Sequence, residues 1–219
     1  MSLSRAVAAE ATGTALLLAM VVGSGIMAER LSGGNTAVAL LANAIATGAG
    51  LFVLIVMLGP ISGAHFNPVI SGVHAWNGRL PLRACGLYVL AQLGGAISGV
   101  IVSHLMFGLP IVQWSTRLRP TAGEGLGELI ATFGLVLVIQ LLSAFRPAAI
   151  PAAVAAFITS AYWFTSSTSF ANPAVTLARA STDTFAGISP QSVPLFIGGQ
   201  LIGGTAAALF SRWLVGHRK

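Results

Sequence analysis

Six long apolar stretches, near residues 6–28, 36–58, 84–107, 125–145, 148–165 and 192–215, limit what this chain can fold into. Each is close to the ~20 residues an α-helix needs to cross ~30 Å of hydrocarbon, the fifth being short. Only 7% of the 219 residues are charged and 55% are hydrophobic, whereas soluble domains carry about a quarter charged residues. The expected fold is therefore all-α and integral to a membrane, with residues 1–219 forming one domain. An even number of crossings puts both termini on one side.

The few charges serve topology. The net charge is +6, but Arg and Lys sit at the ends of apolar spans rather than on one basic face, which argues for the lipid bilayer as partner and against nucleic acid. With a cytoplasmic N-terminus, the inner segments hold Arg5, Arg79, Arg83, Arg146, Arg212, Arg218 and Lys219, and the outer ones Arg30, Arg117, Arg119 and Arg179. Seven against four places both termini inside. Arg5 ahead of the apolar run from Ala11 to Val22 has the look of a secretion signal, but Glu10 abuts the run and no clear cleavage site follows, so the segment reads as retained. A single cysteine, Cys85, excludes an intrachain disulfide.

Two tripeptides, Asn67-Pro68-Val69 and Asn172-Pro173-Ala174, each close one apolar span and open a short piece, 68–77 and 173–182. Asn is a favoured N-cap, and Pro is tolerated at the first helical position because its missing N–H has no partner there anyway. About ten residues rise only ~15 Å as a helix, half of a bilayer. Each piece therefore starts inside the membrane as a re-entrant half-helix, and irregular backbone at that depth must be buried in protein or line a watery cavity.

The halves repeat, over approximately 1–110 and 120–219. Asn67 and Asn172 correspond, as do Glu10 and Glu128 at the openings of spans one and four. Gln92-Leu93-Gly94-Gly95 in span three matches Gln200-Leu201-Ile202-Gly203-Gly204 in span six. Three spans per half is an odd number, so the repeat is inverted.

These features together resemble the aquaporins, the major intrinsic protein family of water and small-solute channels. The resemblance rests on Ser62-Gly63-Ala64-His65-Phe66-Asn67-Pro68-Val69, on Phe170-Ala171-Asn172-Pro173-Ala174, on the two glutamates and on the Gln and Gly pattern, and it covers essentially the whole chain. It implies six tilted helices around a pore, two half-helices meeting at mid-membrane, a homotetramer with one pore per subunit, and a bacterial cytoplasmic membrane. It also implies a passive pore for neutral solutes that rejects ions and protons. Each half-helix would bring about half a positive charge to the centre, and Asn67 and Asn172 would donate hydrogen bonds to passing water. Glu10 and Glu128 would accept hydrogen bonds from the loops that lead into the half-helices, and His65 would support the pore wall.

Neither a cofactor nor a metal is expected, because four His and five acidic residues show no ligand spacing and assemble no catalytic set. The chain is thus not expected to be an enzyme. An ion-coupled secondary transporter would share the inverted repeat but needs coupling charges near its site. The pairs Gly95/Gly99 and Gly199/Gly203 are small-xxx-small motifs expected to pack within the subunit.

Counting from the two Asn residues carries the family's outer constriction onto Thr47, Ser160, Ser169 and Val175, the last in place of the usual arginine. Small side chains there predict a wide, uncharged filter suited to glycerol-like polyols or undissociated metalloid acids such as arsenous acid. The alternative is a water-selective waist refilled by Tyr162, Trp163, Phe164 or Phe170. Arg179, four residues beyond Val175, shares its helix face one turn further out, so the missing charge is expected in the outer vestibule, with His74 at the matching inner position. A snorkelling Arg179, or one bound to a loop carbonyl, is the competing reading.

Overall fold

A computed structural model describes residues 1–216; Arg218 and Lys219 of the charge count lie outside the described residues. Among the described residues there are eight α-helices: α1 (Leu3–Leu31), α2 (Thr36–Ser62), α3 (Pro68–Trp76), α4 (Leu82–Phe107), α5 (Ala122–Phe145), α6 (Ile150–Phe164), α7 (Pro173–Arg179) and α8 (Val193–Val215). Single 3-10 turns, Pro147–Ala149 and Pro190–Ser192, lead into α6 and α8. Six spans are long and apolar enough to cross a membrane, the last two being α6 and α8 taken together with these turns as Pro147–Phe164 and Pro190–Val215. The helices α3 and α7 are the two short pieces, and α7 stops at Arg179 rather than at residue 182.

Local chemistry sets the boundaries. The Asn35 side chain accepts from the Ala37 and Val38 amides at the start of α2, and Thr121 with Glu124 closes a capping box at the start of α5. Both half-helices begin with Pro at the first position behind an Asn cap.

Glycine brings the long helices close. A Cβ at Gly95 or Gly99 would strike the carbonyl oxygens of Ala11 and Ala15, so α4 lies directly on α1. A Cβ at Gly199 or Gly203 would strike those of Gly125 and Leu129, so α8 lies on α5 in the same way. The small-residue pairs therefore pack inside the subunit.

The bundle has two distinguishable ends. At one, Arg30 donates to the Phe107 carbonyl oxygen at 3.1 Å and pairs of loops interlock: Ser115 N–H bonds the Ala180 carbonyl at 3.0 Å and Ser189 N–H the Arg117 carbonyl at 2.7 Å. At the other, Asn77 Nδ2 donates to Gln140 Oε1 at 3.1 Å and Arg212 lies over the Trp76 ring. Between these ends the two half-helices meet head to head.

Candidate functional site: a cavity lined by two crossed asparagines

The centre of the molecule is polar although it is buried. Asn67 Oδ1 accepts from the Val69 amide at 2.9 Å, while its Nδ2 donates to the Ala171 carbonyl at 2.7 Å. Asn172 Oδ1 accepts from the Ala174 and Val175 amides at 3.0 and 3.3 Å, while its Nδ2 donates to the Phe66 carbonyl at 2.7 Å. Each carboxamide thus caps its own half-helix and ties it to the other half. A carboxamide nitrogen has two N–H groups, so each Asn keeps one beyond its crossing bond, and both Asn line the same cavity. Pro68 and Pro173 start the helices, whereas Val69 packs behind toward Gly204 and Ala174 is fully buried.

The loops ahead of the two Asn residues are held in an unfavourable conformation. Ala64 and Ser169, three before each Asn, and Phe66 and Ala171, one before, all have φ between 49° and 52°. Left-handed backbone costs a non-glycine residue about 1–2 kcal/mol. What holds it are the two glutamates, both without solvent exposure. Glu10 accepts from the Ser62 hydroxyl (2.6 Å), the His65 amide (2.9 Å), the Phe66 amide (2.7 Å) and Gln92 Nε2 (2.8 Å). Glu128 accepts from the Phe170 and Ala171 amides, both at 2.8 Å, and from Gln200 Nε2 at 2.6 Å. Satisfying the carboxylate oxygens with several donors is what makes such burial tolerable without a cation.

Four residues with no assigned role in the sequence reading complete this frame. Gln92 also donates to Ser71 Oγ at 2.9 Å, and Gln200 to Thr176 Oγ1 at 2.8 Å. Ser71 and Thr176 each lie four residues after an Asn. Their matching offsets were the available signal.

The cavity has a volume of about 280 Å3. Its walls repeat with helical period: Leu17 and Val21 on α1 face Leu135 and Ile139 on α5, each seven or eleven residues after a buried glutamate. Thr47, Leu51 and Ile55 of α2 face Ile150, Val154, Ile158 and Tyr162 of α6.

Of the four counted constriction positions, Thr47, Ser169 and Val175 line the cavity. Ser160 does not. It is exposed, and its hydroxyl turns back to the Phe157 carbonyl at 2.8 Å. The lining positions of α6 recur every fourth residue, and Ser160, two from both Ile158 and Tyr162, points about 200° away. Tyr162 takes the place, and its hydroxyl donates to Thr47 Oγ1 at 3.2 Å. Phe170 also reaches the cavity, whereas Trp163 and Phe164 are about half exposed and face outward.

Arg179 is buried and lines the cavity near Val175. Its Nε bonds the Ala186 carbonyl, and its guanidinium lies 3.4 Å from the Phe170 ring centroid. Both readings of its role thus meet in one side chain, bound to a loop carbonyl and facing the lumen. His74 lines the opposite end, with Nδ1 against the Ile70 carbonyl at 2.9 Å. Its ring stands 4.3 Å from that of His65, whose Nδ1 meets Ser71 Oγ at 3.1 Å. Among the described residues, no group of three or more His, Cys, Asp or Glu is placed to hold a metal.

Comparison with known proteins agrees with this geometry. The chain is 52% identical over 213 residues to aquaglyceroporin AqpS of Rhizobium meliloti (strain 1021), covering 97% of this chain and 91% of that protein. Aquaporin NIP1-1 of Zea mays is 40% identical over 100 residues, 44% of this chain and 35% of that protein. The fold matches the X-ray structure of the aquaglyceroporin from Plasmodium falciparum with a TM-score of 0.74 over 98% of this chain and 97% of that one, at 21% identity. Residues 1–165 match the description Major intrinsic protein, and with the relative covering nearly the full length, the chain belongs to the major intrinsic protein family.

Proposed function

We propose that this protein is a passive transmembrane channel for water and small uncharged solutes, wide enough for glycerol-like polyols or undissociated metalloid acids such as arsenous acid. Membership of a channel family also means that it is not an enzyme. The observation that carries the reading is the pair of crossed asparagines, each with a spare N–H beside one cavity. A water that accepts from both amides cannot pass a proton along through them, which breaks a proton relay. Two half-helix N-termini at the same point disfavour cations. Val175 in the family's arginine position supports passage of solutes larger than water.

A second reading follows from Tyr162 and Phe170, which bring aromatic volume to the level of Val175 and would narrow the waist toward water alone. Reconstitution into liposomes separates the two. Osmotic water flux is compared with glycerol, urea and arsenous acid uptake in wild type and Val175→Arg. Wild-type uptake of the larger solutes, suppressed more than water flux by the arginine, supports the wide pore. Water flux without solute uptake supports the narrow one, and flux driven by an ion gradient would overturn both. The excess of arginine at the Arg212 end supports a cytoplasmic location for that end, in the inner membrane of a bacterium, and the family resemblance supports a homotetramer.

A further inference from the structure

Two guanidinium groups converge on one aromatic ring at the Arg30 end of the cavity. Arg179 lies 3.4 Å and Arg119 5.3 Å from the Phe170 centroid. Arg179, only 3% exposed, commits Nε to Ala186, and among the described residues none of its four other N–H groups has an acceptor. Arg119, from the loop that precedes α5, gives Nη1 to the Ser167 carbonyl at 3.1 Å and to Thr168 Oγ1 at 3.4 Å.

No carboxylate neutralises either. The one salt bridge among the described residues joins Arg117 to Glu29. Glu124, more than Glu128, lends Arg119 some field, and Glu128 lends some to Arg179, but Glu124 accepts from the Thr121 amide and hydroxyl and the Glu128 oxygens are occupied by the Phe170 and Ala171 amides and by Gln200. Ser169 adds an unpartnered group: the residue lines the cavity and is 3% exposed, and its buried hydroxyl has no partner among the described residues. Two like charges beside one ring, a planar fork with free donors and an idle hydroxyl together lack an acceptor that carries negative charge.

We propose that this mouth holds a seat for a small monovalent oxyanion of carboxylate or sulfonate size. The free N–H groups of Arg179 and the Ser169 hydroxyl grip it, and Arg119 supplies the attracting field. An anion seated there stands beside Val175 and Thr47 in the lumen, so it obstructs neutral solutes and slows their flux. The blocking consequence rests on the channel reading above; the seat itself does not.

The probe is methanesulfonate, which stays ionised and does not cross lipid, with dimethyl sulfone as its neutral counterpart. Two measurements are made on the full-length protein: water flux into proteoliposomes at rising probe concentration, each variant scaled to its own flux without probe, and calorimetric binding to the detergent-solubilised protein. Expected are saturable binding at millimolar concentration with at least about a twofold fall in flux, no effect of dimethyl sulfone, and an apparent affinity weakened at least about tenfold in Arg179→Gln. Arg119→Gln, outside the half-helix, should weaken it about threefold and decides the matter should Arg179→Gln fail to fold. Absence of calorimetric binding to wild type overturns the seat. So does binding that Arg119→Gln and Arg179→Gln leave unchanged, or equal inhibition by dimethyl sulfone. Protein that binds the probe but conducts nothing without it would overturn the channel reading while leaving the seat intact.

Discussion

Replacing Glu128 with Gln removes one charge and almost no volume, so its cost measures what the carboxylate does for the loop ahead of α7. In the native protein one oxygen accepts from the Phe170 amide and the other from the Ala171 amide and Gln200 Nε2, all within 2.8 Å. A glutamine offers one acceptor oxygen and one donor nitrogen. Whichever way it turns, one of the two loop amides faces an N–H and is orphaned in a fully buried place. An unsatisfied buried donor costs about 1–3 kcal/mol, and turning the surviving charge-assisted bonds into neutral ones costs about 1 kcal/mol each. Relief from burying a charge offsets part of this. The net is a loss of about 2–4 kcal/mol, focused on a segment where Ser169 and Ala171 already sit at φ 52° and 49°. For a chain of this size that corresponds to a thermal midpoint about 4–16 °C lower. Because the Ala171 carbonyl is the acceptor for Asn67, water flux per channel should fall as well. The assay is thermal unfolding of the solubilised protein followed by stopped-flow osmotic flux in liposomes, with Gln200→Glu/Glu128→Gln as a swap that restores a carboxylate to the pair. A single variant that kept both its midpoint within about 2 °C and its flux would refute the claim that this carboxylate holds the loop.

Other substitutions test other parts of the frame. In α8, a Cβ at Gly203 would meet the Leu129 carbonyl whereas one at Gly198 meets nothing within 4 Å, so Gly203→Ala should destabilise by about 2–3 kcal/mol and Gly198→Ala should be neutral or slightly stabilising, read by thermal unfolding. Tyr162→Ala should raise glycerol uptake relative to water flux, because it opens the cavity wall and frees Thr47, while Trp163→Ala, on the outward face, should change the ratio little. Reversing the Arg117–Glu29 pair, whose side chains are 41% and 48% exposed, should shift stability by under about 1 kcal/mol and by less at high salt.

The chain announces its repeated features and conceals its rotations. Asn-Pro pairs, buried glutamates and Gln-Gly patterns were legible because each is a chemically rare choice in an apolar span, and each occurs twice at matched offsets. The helix spans were legible because length and hydropathy alone require them. Which way a side chain faces at a given level was not, since α6 is apolar nearly all round and an apolar helix in lipid leaves no amphipathic stripe to count from. Counting back twelve residues from Asn172 therefore reached Ser160, on the outward face, when Tyr162 is the residue at the lumen. The role of Arg179 was half legible: its spacing from Val175 gave its face, but the ring of Phe170 and the Ala186 carbonyl that fix it come from loops of irregular backbone.

The left-handed residues explain why the two halves depend on each other. A carbonyl that follows an ordinary extended path would point along its own loop. With φ near 49°, Phe66 and Ala171 instead turn theirs across the centre, where each meets the asparagine of the opposite half at 2.7 Å. Each half satisfies the oxygen of its own asparagine, but the Nδ2 takes its acceptor from the other half, and neither strained residue is compensated without a glutamate from the first helix of its own half. The order of dependence runs from Glu10 and Glu128, through the loop amides they hold, to carbonyls aimed at the partner half, to amides left with one free N–H beside the cavity. Polar contacts at the pore therefore originate in two acidic residues that never touch it, and a change in either should be felt first in the orientation of the asparagine belonging to the other half.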